Sequence, residues 1–210
     1  MAKNIPSHEL YSTRRIEALS DGVFAIAMTL LVLNLNVPSI VGQATEAKLW
    51  QAISSMSTNF VDFVVSFLLL GSAWAVHMRQ FEFIRYGDRH LTMINTLRLL
   101  VVVFIPFTTS LAGDYTGLLL AKILLPINFF LLGVVSAWQW GYACKHQKSF
   151  APDLTAEEMH HGKLRNTIFL FVSAVVVLLS FFIGTWAFML FIAMPVLVRT
   201  FAGRKPTITE

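Results

Sequence analysis

The sequence contains a single cysteine and few charged residues. Cys144 is the one cysteine among 210 residues, so the chain cannot form an intrachain disulfide. Lysine, arginine, aspartate and glutamate make up 13% of the chain, which is about half their usual share in a soluble domain. These shortages exclude a fold stabilised by intrachain disulfides and argue against an ordinary soluble fold.

Motifs of the common enzyme classes are also missing. The chain has no Gly-x-Ser-x-Gly, no His-Glu-x-x-His and no phosphate-binding loop. Glu157 and His161 are four residues apart and can share a helix face, but with Glu158 and His160 they make too poor a ligand set for a metal. The sequence therefore indicates a protein that is not an enzyme and that needs no metal or cofactor.

Long apolar runs dominate what is present. Hydrophobic residues make up 56% of the chain, and its mean hydropathy is +0.65. Runs of about 20 apolar residues are long enough to cross a bilayer as helices. Residues 1–210 are therefore predicted to form one all-α, polytopic membrane domain. The six predicted spans are Arg15–Val37, Asn59–Met78, Leu91–Ala112, Leu118–Tyr142, Thr167–Ile183 and Trp186–Thr200.

The segments between the spans carry weaker signals. A short helix is predicted within the outer connection, from Thr45 to Ile53. Residues 145–165 are predicted to be a polar loop in which Thr155 and Glu158 have the spacing of a capping box. Gly184-Thr185 is a tight turn that would make the last two spans an antiparallel hairpin. Pro38 is expected to end the first span.

Lysine and arginine predict the orientation. With the N-terminus in the cytoplasm, most of the 16 basic residues fall on the inner side, while Lys48 and Lys122 fall outside. Both termini are then cytoplasmic, and this bias explains the net charge of +4 without nucleic-acid binding. Residues 1–14 lack the apolar stretch of a cleavable signal peptide, so the first span is expected to act as its own insertion signal. The inner-side basic residues are Lys3, Arg14, Arg15, Arg79, Arg85, Arg89, Lys145, Lys148, Lys163, Arg165, Arg199, Arg204 and Lys205.

Polar side chains lie inside the predicted spans, where they are costly. Asp21, His77, Asn95 and Arg98 fall in the inner third by the helical rise, so we expect a cluster in which Asp21 pairs with Arg98 or accepts from His77. Such a cluster is either a structural clamp or a clamp that also influences gating. Of the two remaining polar residues, Asn128 is expected to make an interhelical hydrogen bond, and Asp62 is expected to lie within reach of water at an outer end.

The first span carries an apolar stripe on a face away from Asp21. At about 100° per residue, Ile26, Thr29, Leu30, Leu33 and Val37 share this face. Periodicity alone favours packed core over a pore lining. If several copies surrounded an axis, the stripe would form an apolar constriction that closes by dewetting, and Thr29 would add a ring of hydroxyls.

The segment Arg15-x-x-x-Leu-Ser-Asp-Gly-Val-Phe-Ala-Ile-Ala-x-Thr-Leu-Leu resembles the first-helix signature of the transmembrane protein 175 family, the lysosomal potassium channels and their prokaryotic relatives. Leu19 stands where that family usually has phenylalanine. The resemblance implies a homotetramer in a bacterial inner (plasma) membrane, with the four first helices lining a potassium-permeable pore. It covers about 20 residues, and the chain has no Thr-Val-Gly-Tyr-Gly filter of the ordinary potassium-channel type.

The resemblance also implies roles for particular residues. Ile26, Leu30 and Leu33 would form the constriction, and Thr29 would contribute to selectivity. Arg15, Ser20 and Asp21 would hold the first span against the second and third, with His77, Asn95 and Arg98 completing the polar cluster. Two other functions stay open: a proton-coupled secondary transporter that uses Asp21 and His77 as proton carriers, and a non-conducting membrane scaffold.

Overall fold

The structure, a computed structural model, describes residues 10–36, 39–40, 42–193 and 200. Nearly all regular structure in these residues is helical. The exception is a two-stranded antiparallel ladder of β1 (Tyr11–Ser12) and β2 (Tyr86–Gly87). We call the end of the helical bundle that carries this ladder the strand end.

The first helix is followed by a tighter turn. Helix α1 spans Arg14–Leu30 and continues as a 3₁₀ segment, Leu31–Asn34. The Asn34 amide donates to the carbonyl of Pro106 at 3.0 Å, which fixes this end of the span. The predicted limits at Val37 and Pro38 lie outside the described residues.

The outer connection contains the predicted short helix. Helix α2 spans Glu46–Ser55, and the Thr45 side chain accepts a hydrogen bond from the Lys48 backbone N–H at 3.4 Å. This N-cap satisfies one of the free donors at the start of the helix. Helix α3 then runs over Ser57–Phe83, five residues beyond the predicted end at Met78.

The third span is two helices rather than one. Helix α4 spans Arg89–Val103, and Asp88 caps it by accepting from the Leu91 N–H at 2.8 Å. Helix α5 spans Ile105–Asp114 and has Pro106 in its first turn. Proline has no N–H and clashes with the preceding turn of a helix, which explains the break at Phe104 within the predicted span Leu91–Ala112.

The polar segment before the fifth span is mostly helical, so its prediction as a loop was wrong. Helix α6 spans Leu119–Lys145, and α7 is a single turn, Gln147–Phe150. Helix α8 spans Ala156–Ile183 and starts eleven residues before the predicted Thr167. The predicted capping box of Thr155 and Glu158 is confirmed, and it starts a helix that continues directly into the apolar run.

The chain reverses after α8, as the hairpin prediction requires. Gly184 has a φ of 58° and begins a 3₁₀ segment, Gly184–Ala193, which packs back on α8. The rings of Phe169 and Phe191 lie 5.5 Å apart, whereas a straight helix would separate these residues by about 33 Å. The predicted sixth span, 186–200, is described only to Ala193 and at Thr200.

Five helical stretches of the described residues are long and apolar enough to cross a membrane. The fifth, Ala156–Phe191, is divided by the reversal at Gly184. The chain is therefore a multi-pass helical membrane protein. The five stretches are Arg14–Asn34, Ser57–Phe83, Arg89–Asp114, Leu119–Lys145 and Ala156–Phe191.

Helices α6 and α8 form the most extensive pairing in the bundle, and small residues allow the close approach. Gly133 faces Phe169, whose Cδ1 would lie 2.7 Å from an added Cβ. Gly162 faces the indole of Trp140, where an added Cβ would overlap the ring. Gly133 on α6 thus leaves room for a ring of α8, and Gly162 on α8 leaves room for a ring of α6.

We expect Gly162→Ala to destabilise the protein. The Trp140 indole cannot easily retreat, because its Nε1 donates to the Met159 carbonyl at 3.4 Å. Overpacking of this kind costs about 1–3 kcal/mol. Thermal unfolding in detergent would measure the loss. Gly141→Ala is the matched control, because nothing lies within 4 Å of its added Cβ, and an unchanged melting temperature for Gly162→Ala would contradict the expectation.

Candidate functional site

Helix α1 has one buried face and one bare face. Its buried face packs on α3 and α4 and brings Phe24 and Ala27 into the main apolar core. The buried residues of this face are Ile16, Ser20, Phe24, Ala27 and Leu31.

The predicted stripe lies on the bare face. Ile26 is 58% exposed, Leu30 is 37% exposed and Leu33 is 67% exposed. Residues three apart align in a 3₁₀ helix, so the tightening after Leu30 keeps Leu33 near the same face. The stripe is therefore not packed core within one chain, while Val37 lies outside the described residues.

Thr29 is also exposed on this face. Its hydroxyl donates to the Ile26 carbonyl of its own helix at 2.8 Å. With its proton used inside the helix, the hydroxyl presents oxygen lone pairs outward. An oxygen of this kind suits a cation better than an anion.

A buried chain of polar contacts joins α1, α3, α4 and α6 near the strand end. Asn95 Nδ2 donates to Ser20 Oγ at 3.0 Å, and Gln139 Nε2 donates to Asn95 Oδ1 at 3.0 Å. Arg98 Nη1 donates to Gln80 Oε1 at 2.9 Å and to Gln139 Oε1 at 3.0 Å. We call these five residues, each at most 2% exposed, the polar network.

The polar network contains two residues that the sequence analysis missed. Gln80 lies past the predicted end of the second span at Met78, and Gln139 lies between Trp138 and Trp140. Arg79 and Glu82 lie close to Gln80 in the sequence, whereas Gln139 has apolar neighbours on both sides. Because buried amides need partners, Gln139 was the usable signal of the two glutamines. They supply the acceptors that Arg98 needs in place of an acid.

Asp21 does not pair with Arg98 or His77, so this part of the predicted cluster was wrong. Its Oδ1 accepts from Trp74 Nε1 at 2.8 Å, and the residue is exposed. Arg15 is exposed as well and makes no contact with the polar network. Consecutive helical residues point about 100° apart, so when Ser20 faces α4, Asp21 cannot.

His77 lies beside the polar network without joining it. The ring is 1% exposed and lies 4.5 Å from Phe81 and 5.7 Å from Phe24, between ring centroids. Neither ring nitrogen has a hydrogen-bond partner in the described residues. A neutral imidazole has one donor and one acceptor nitrogen, so both needs are unmet.

The remaining polar residues of the spans are buried toward the opposite end. Asn128 Nδ2 lies 3.3 Å from Thr108 Oγ1, which confirms the interhelical contact expected for Asn128. Asp62 is 1% exposed, so its predicted access to water was wrong: the chain returning after Gly184 brings Thr185 beside it.

On α8, Glu157 Oε1 and His161 Nε2 are 3.4 Å apart, and no third metal ligand joins them within the described part of the chain.

Comparison with known proteins identifies the first half of the chain. Residues 15–106 match the family model of the endosomal/lysosomal potassium channel TMEM175. The chain is therefore similar to TMEM175 over these 92 of its 210 residues. The match to TMEM175 covers α1, α3 and α4, and so includes the stripe and every polar-network residue except Gln139.

Named relatives and a solved structure agree with this assignment. A potassium channel of Streptomyces collinus is 41% identical over 101 residues, which is 48% of each chain. The endosomal/lysosomal proton channel TMEM175 of Gallus gallus is 33% identical over 112 residues, 51% of this chain and 22% of that protein. The crystal structure of a lysosomal potassium-selective channel TMEM175 homolog from Chamaesiphon minutus matches with a TM-score of 0.75 at 27% identity, over 91% of this chain and 98% of that chain.

The sequence matches and the structural match cover different shares of the chain. The chain spans about half the length, or less, of the curated relatives it matches. The structural match extends over nearly the whole fold, including the helices after residue 106. The fold is therefore shared with a TMEM175 homolog over 91% of this chain, whereas the match to the family model ends at residue 106.

Proposed function

We propose that this chain is a subunit of a homotetrameric, potassium-permeable cation channel in a bacterial plasma membrane. Four copies of α1 surround the pore, six spans cross the bilayer, and the strand end and both termini face the cytoplasm. The observation that carries the proposal is the bare face of α1. It leaves Ile26, Leu30 and Leu33 without cover in a single chain, although the same helix is well packed on its other side.

The constriction acts through its apolar surface. A narrow ring of isoleucine and leucine side chains cannot replace the hydration shell of an ion, so it closes the pore when water leaves it. Thr29 lies between Ile26 and Leu30 and offers hydroxyl oxygens to a partly dehydrated cation. The polar network holds the opposite face of α1 in place through the Ser20–Asn95 contact.

The decisive experiment is ion flux through the purified protein. Liposomes or planar bilayers with potassium on one side and sodium on the other should show passive current with a reversal potential toward that of potassium. A flux that disappears without a pH gradient would instead indicate the proton-coupled transporter. Absence of any flux from a folded, correctly inserted protein would leave a scaffold as the function.

We expect Thr29→Ala to lower the discrimination between potassium and sodium. The change removes an oxygen from the bare face but leaves its apolar neighbours unchanged. The shift of the reversal potential under asymmetric potassium and sodium measures the effect, which we expect to be a several-fold fall in the permeability ratio. Thr29→Ser keeps the hydroxyl and is the control. Equal reversal potentials for Thr29→Ala and the unchanged protein would remove Thr29 from the selectivity determinants.

A further inference from the structure

Three arginines from three helices lie close to one another near the strand end. Arg79 is on α3, Arg98 is on α4 and Arg165 is on α8. The charge of Arg165 is near enough to be repelled by that of Arg79, and it repels that of Arg98 in turn. Arg98 is buried, Arg79 is exposed and Arg165 is partly exposed. We call the two accessible residues, Arg79 and Arg165, the arginine pair.

No carboxylate pairs with these arginines in the described part of the chain. The ion pairs found there, at 4.0 Å or less, involve none of the three. Glu82 follows Arg79 by three residues but lines a small cavity between α1 and α3 instead. Arg98 donates to the neutral side chains of the polar network. Because guanidinium groups stay protonated in proteins, the three arginines place three positive charges near one another without an acid among them.

Buried groups around the arginine pair are also short of acceptors. Four side-chain nitrogens there are buried without a hydrogen-bond partner in the described residues, and all four are donors. These nitrogens are themselves closed to a ligand. They show instead that the neighbouring helices offer few free acceptors, so the acceptor for the arginine pair has to come from outside the chain. The four are Gln80 Nε2, Arg98 Nε, Arg165 Nε and Asn166 Nδ2.

The arginine pair lies at the level expected for lipid headgroups. Arg79 directly follows Met78, the predicted end of the second span, and Arg165 precedes Thr167, the predicted start of the fifth, by two residues. At a rise of about 1.5 Å per residue, both lie within about 3 Å of the ends of their apolar runs. Helices α3 and α8 pack little on each other in the described residues, so no tight helix contact closes the space between the two side chains. Long arginine side chains beside such a space can reach a headgroup at the membrane surface.

We propose that the arginine pair binds the phosphate group of an anionic lipid in the leaflet at the strand end. A guanidinium can donate two parallel hydrogen bonds to phosphate oxygens, so the pair can hold one headgroup from two sides. Arg98 adds attraction from behind the pair without touching the lipid. A lipid is favoured over dissolved phosphate because its acyl chains keep the phosphate at this depth, and basic pockets between membrane helices suit such headgroups. Binding requires neither a pore nor a tetramer, so it goes beyond the proposed channel function and does not depend on it.

Native mass spectrometry of the purified full chain tests the binding. Phosphatidylglycerol, which is anionic, should stay bound under conditions that remove phosphatidylcholine, which is neutral overall. The double variant Arg79→Gln, Arg165→Gln should bind phosphatidylglycerol several-fold more weakly, and Arg79→Gln alone, at an exposed position, should already weaken it. The control Arg89→Gln, Lys148→Gln removes two exposed charges at the same end and should bind like the unchanged protein. Equal retention of the two lipids by the unchanged protein, or equal losses in the two double variants, would overturn the proposal.

Thermal unfolding in detergent separates a lipid from dissolved phosphate. A ligand that binds the folded state raises the melting temperature, so phosphatidylglycerol should raise it in the unchanged protein and much less in Arg79→Gln, Arg165→Gln. Inorganic phosphate should act no differently from a chloride salt of equal ionic strength. A rise with inorganic phosphate that the double variant loses would indicate a site for a dissolved anion and overturn the lipid, as would no rise with phosphatidylglycerol. Neither measurement uses ion flux, so failure of the proposed channel function would leave these results unaffected.

Discussion

Replacing Ile26 with asparagine should raise ion flux roughly tenfold or more. In a tetramer the change places four amides where four apolar side chains formed a ring. Each amide can hydrogen-bond a water or contact an ion, and a gain of about 0.5 kcal/mol for each copy amounts to about 2 kcal/mol. A barrier lower by about 1.4 kcal/mol is a tenfold change in rate. Single-channel recording or liposome flux measures the increase.

The control for Ile26→Asn is Val32→Asn. Val32 is 50% exposed and Ile26 is 58% exposed, so the two positions take an asparagine about equally well. Val32 points well away from Ile26 around the helix, at about 100° per residue, and lies on the side of Asp21. Flux that rises equally for both variants would indicate a general leak. Unchanged flux in Ile26→Asn would exclude Ile26 from the constriction.

The apolar runs predicted the helices well but not their ends. Bilayer crossing requires about 20 apolar residues, so each run identifies a span. The requirement says nothing about polar residues that extend a helix beyond the bilayer. Helix α8 therefore starts at Ala156, where a capping box is available, instead of at the apolar boundary near Thr167. At Phe104, in contrast, a helix ends inside an uninterrupted apolar run, because Pro106 divides that run into two helices.

The depth of the polar residues was predictable, but their pairing was not. Helical rise placed Asn95 and Arg98 in the same third of the bilayer as Asp21 and His77. The contact of Asn95 with Ser20, the neighbour of Asp21, agrees with this depth. Charge complementarity then favoured Asp21 as the partner of Arg98. The partner is decided by the rotation of α1, which follows from how Phe24 and Ala27 pack in the core. A single sequence does not show how α1 is rotated about its axis, because that rotation depends on the packing of the other helices.

A buried arginine without an acid has a consequence for the role of the polar network. Arg98 is 1% exposed, and in the described residues its guanidinium donates to the side chains of Gln80 and Gln139, both neutral. Neutral interhelical hydrogen bonds in membranes average about 0.6 kcal/mol. Removing a partner from a buried charge costs far more, about 3–5 kcal/mol where the charge is left uncompensated. The network therefore depends mainly on how well the two amides solvate the guanidinium.

Gln139→Leu should consequently lower the free energy of unfolding by about 2–5 kcal/mol. Leucine is similar in size to glutamine, so the loss comes from the polar contacts: Arg98 keeps Gln80 as its remaining acceptor, and Asn95 Oδ1 loses its donor. Unfolding in detergent measures the change. Ser136→Ala, one turn away on α6 and also buried, is the control and should cost less than about 1 kcal/mol, the usual size of one hydrogen bond.

The double variant Gln139→Leu, Arg98→Met separates the charge from the packing. If the stranded guanidinium causes the loss, removing it should make the double variant more stable than the sum of the single changes predicts. Gln139→Glu should lose less stability than Gln139→Leu, since a carboxylate accepts from the guanidinium more strongly than an amide does. Additive losses in the double variant, together with equal losses in Gln139→Glu and Gln139→Leu, would mean that Gln139 acts through its contact with Asn95. The clamp on α1 would then consist of the Ser20–Asn95–Gln139 contacts alone, and Arg98 would be solvated independently of them.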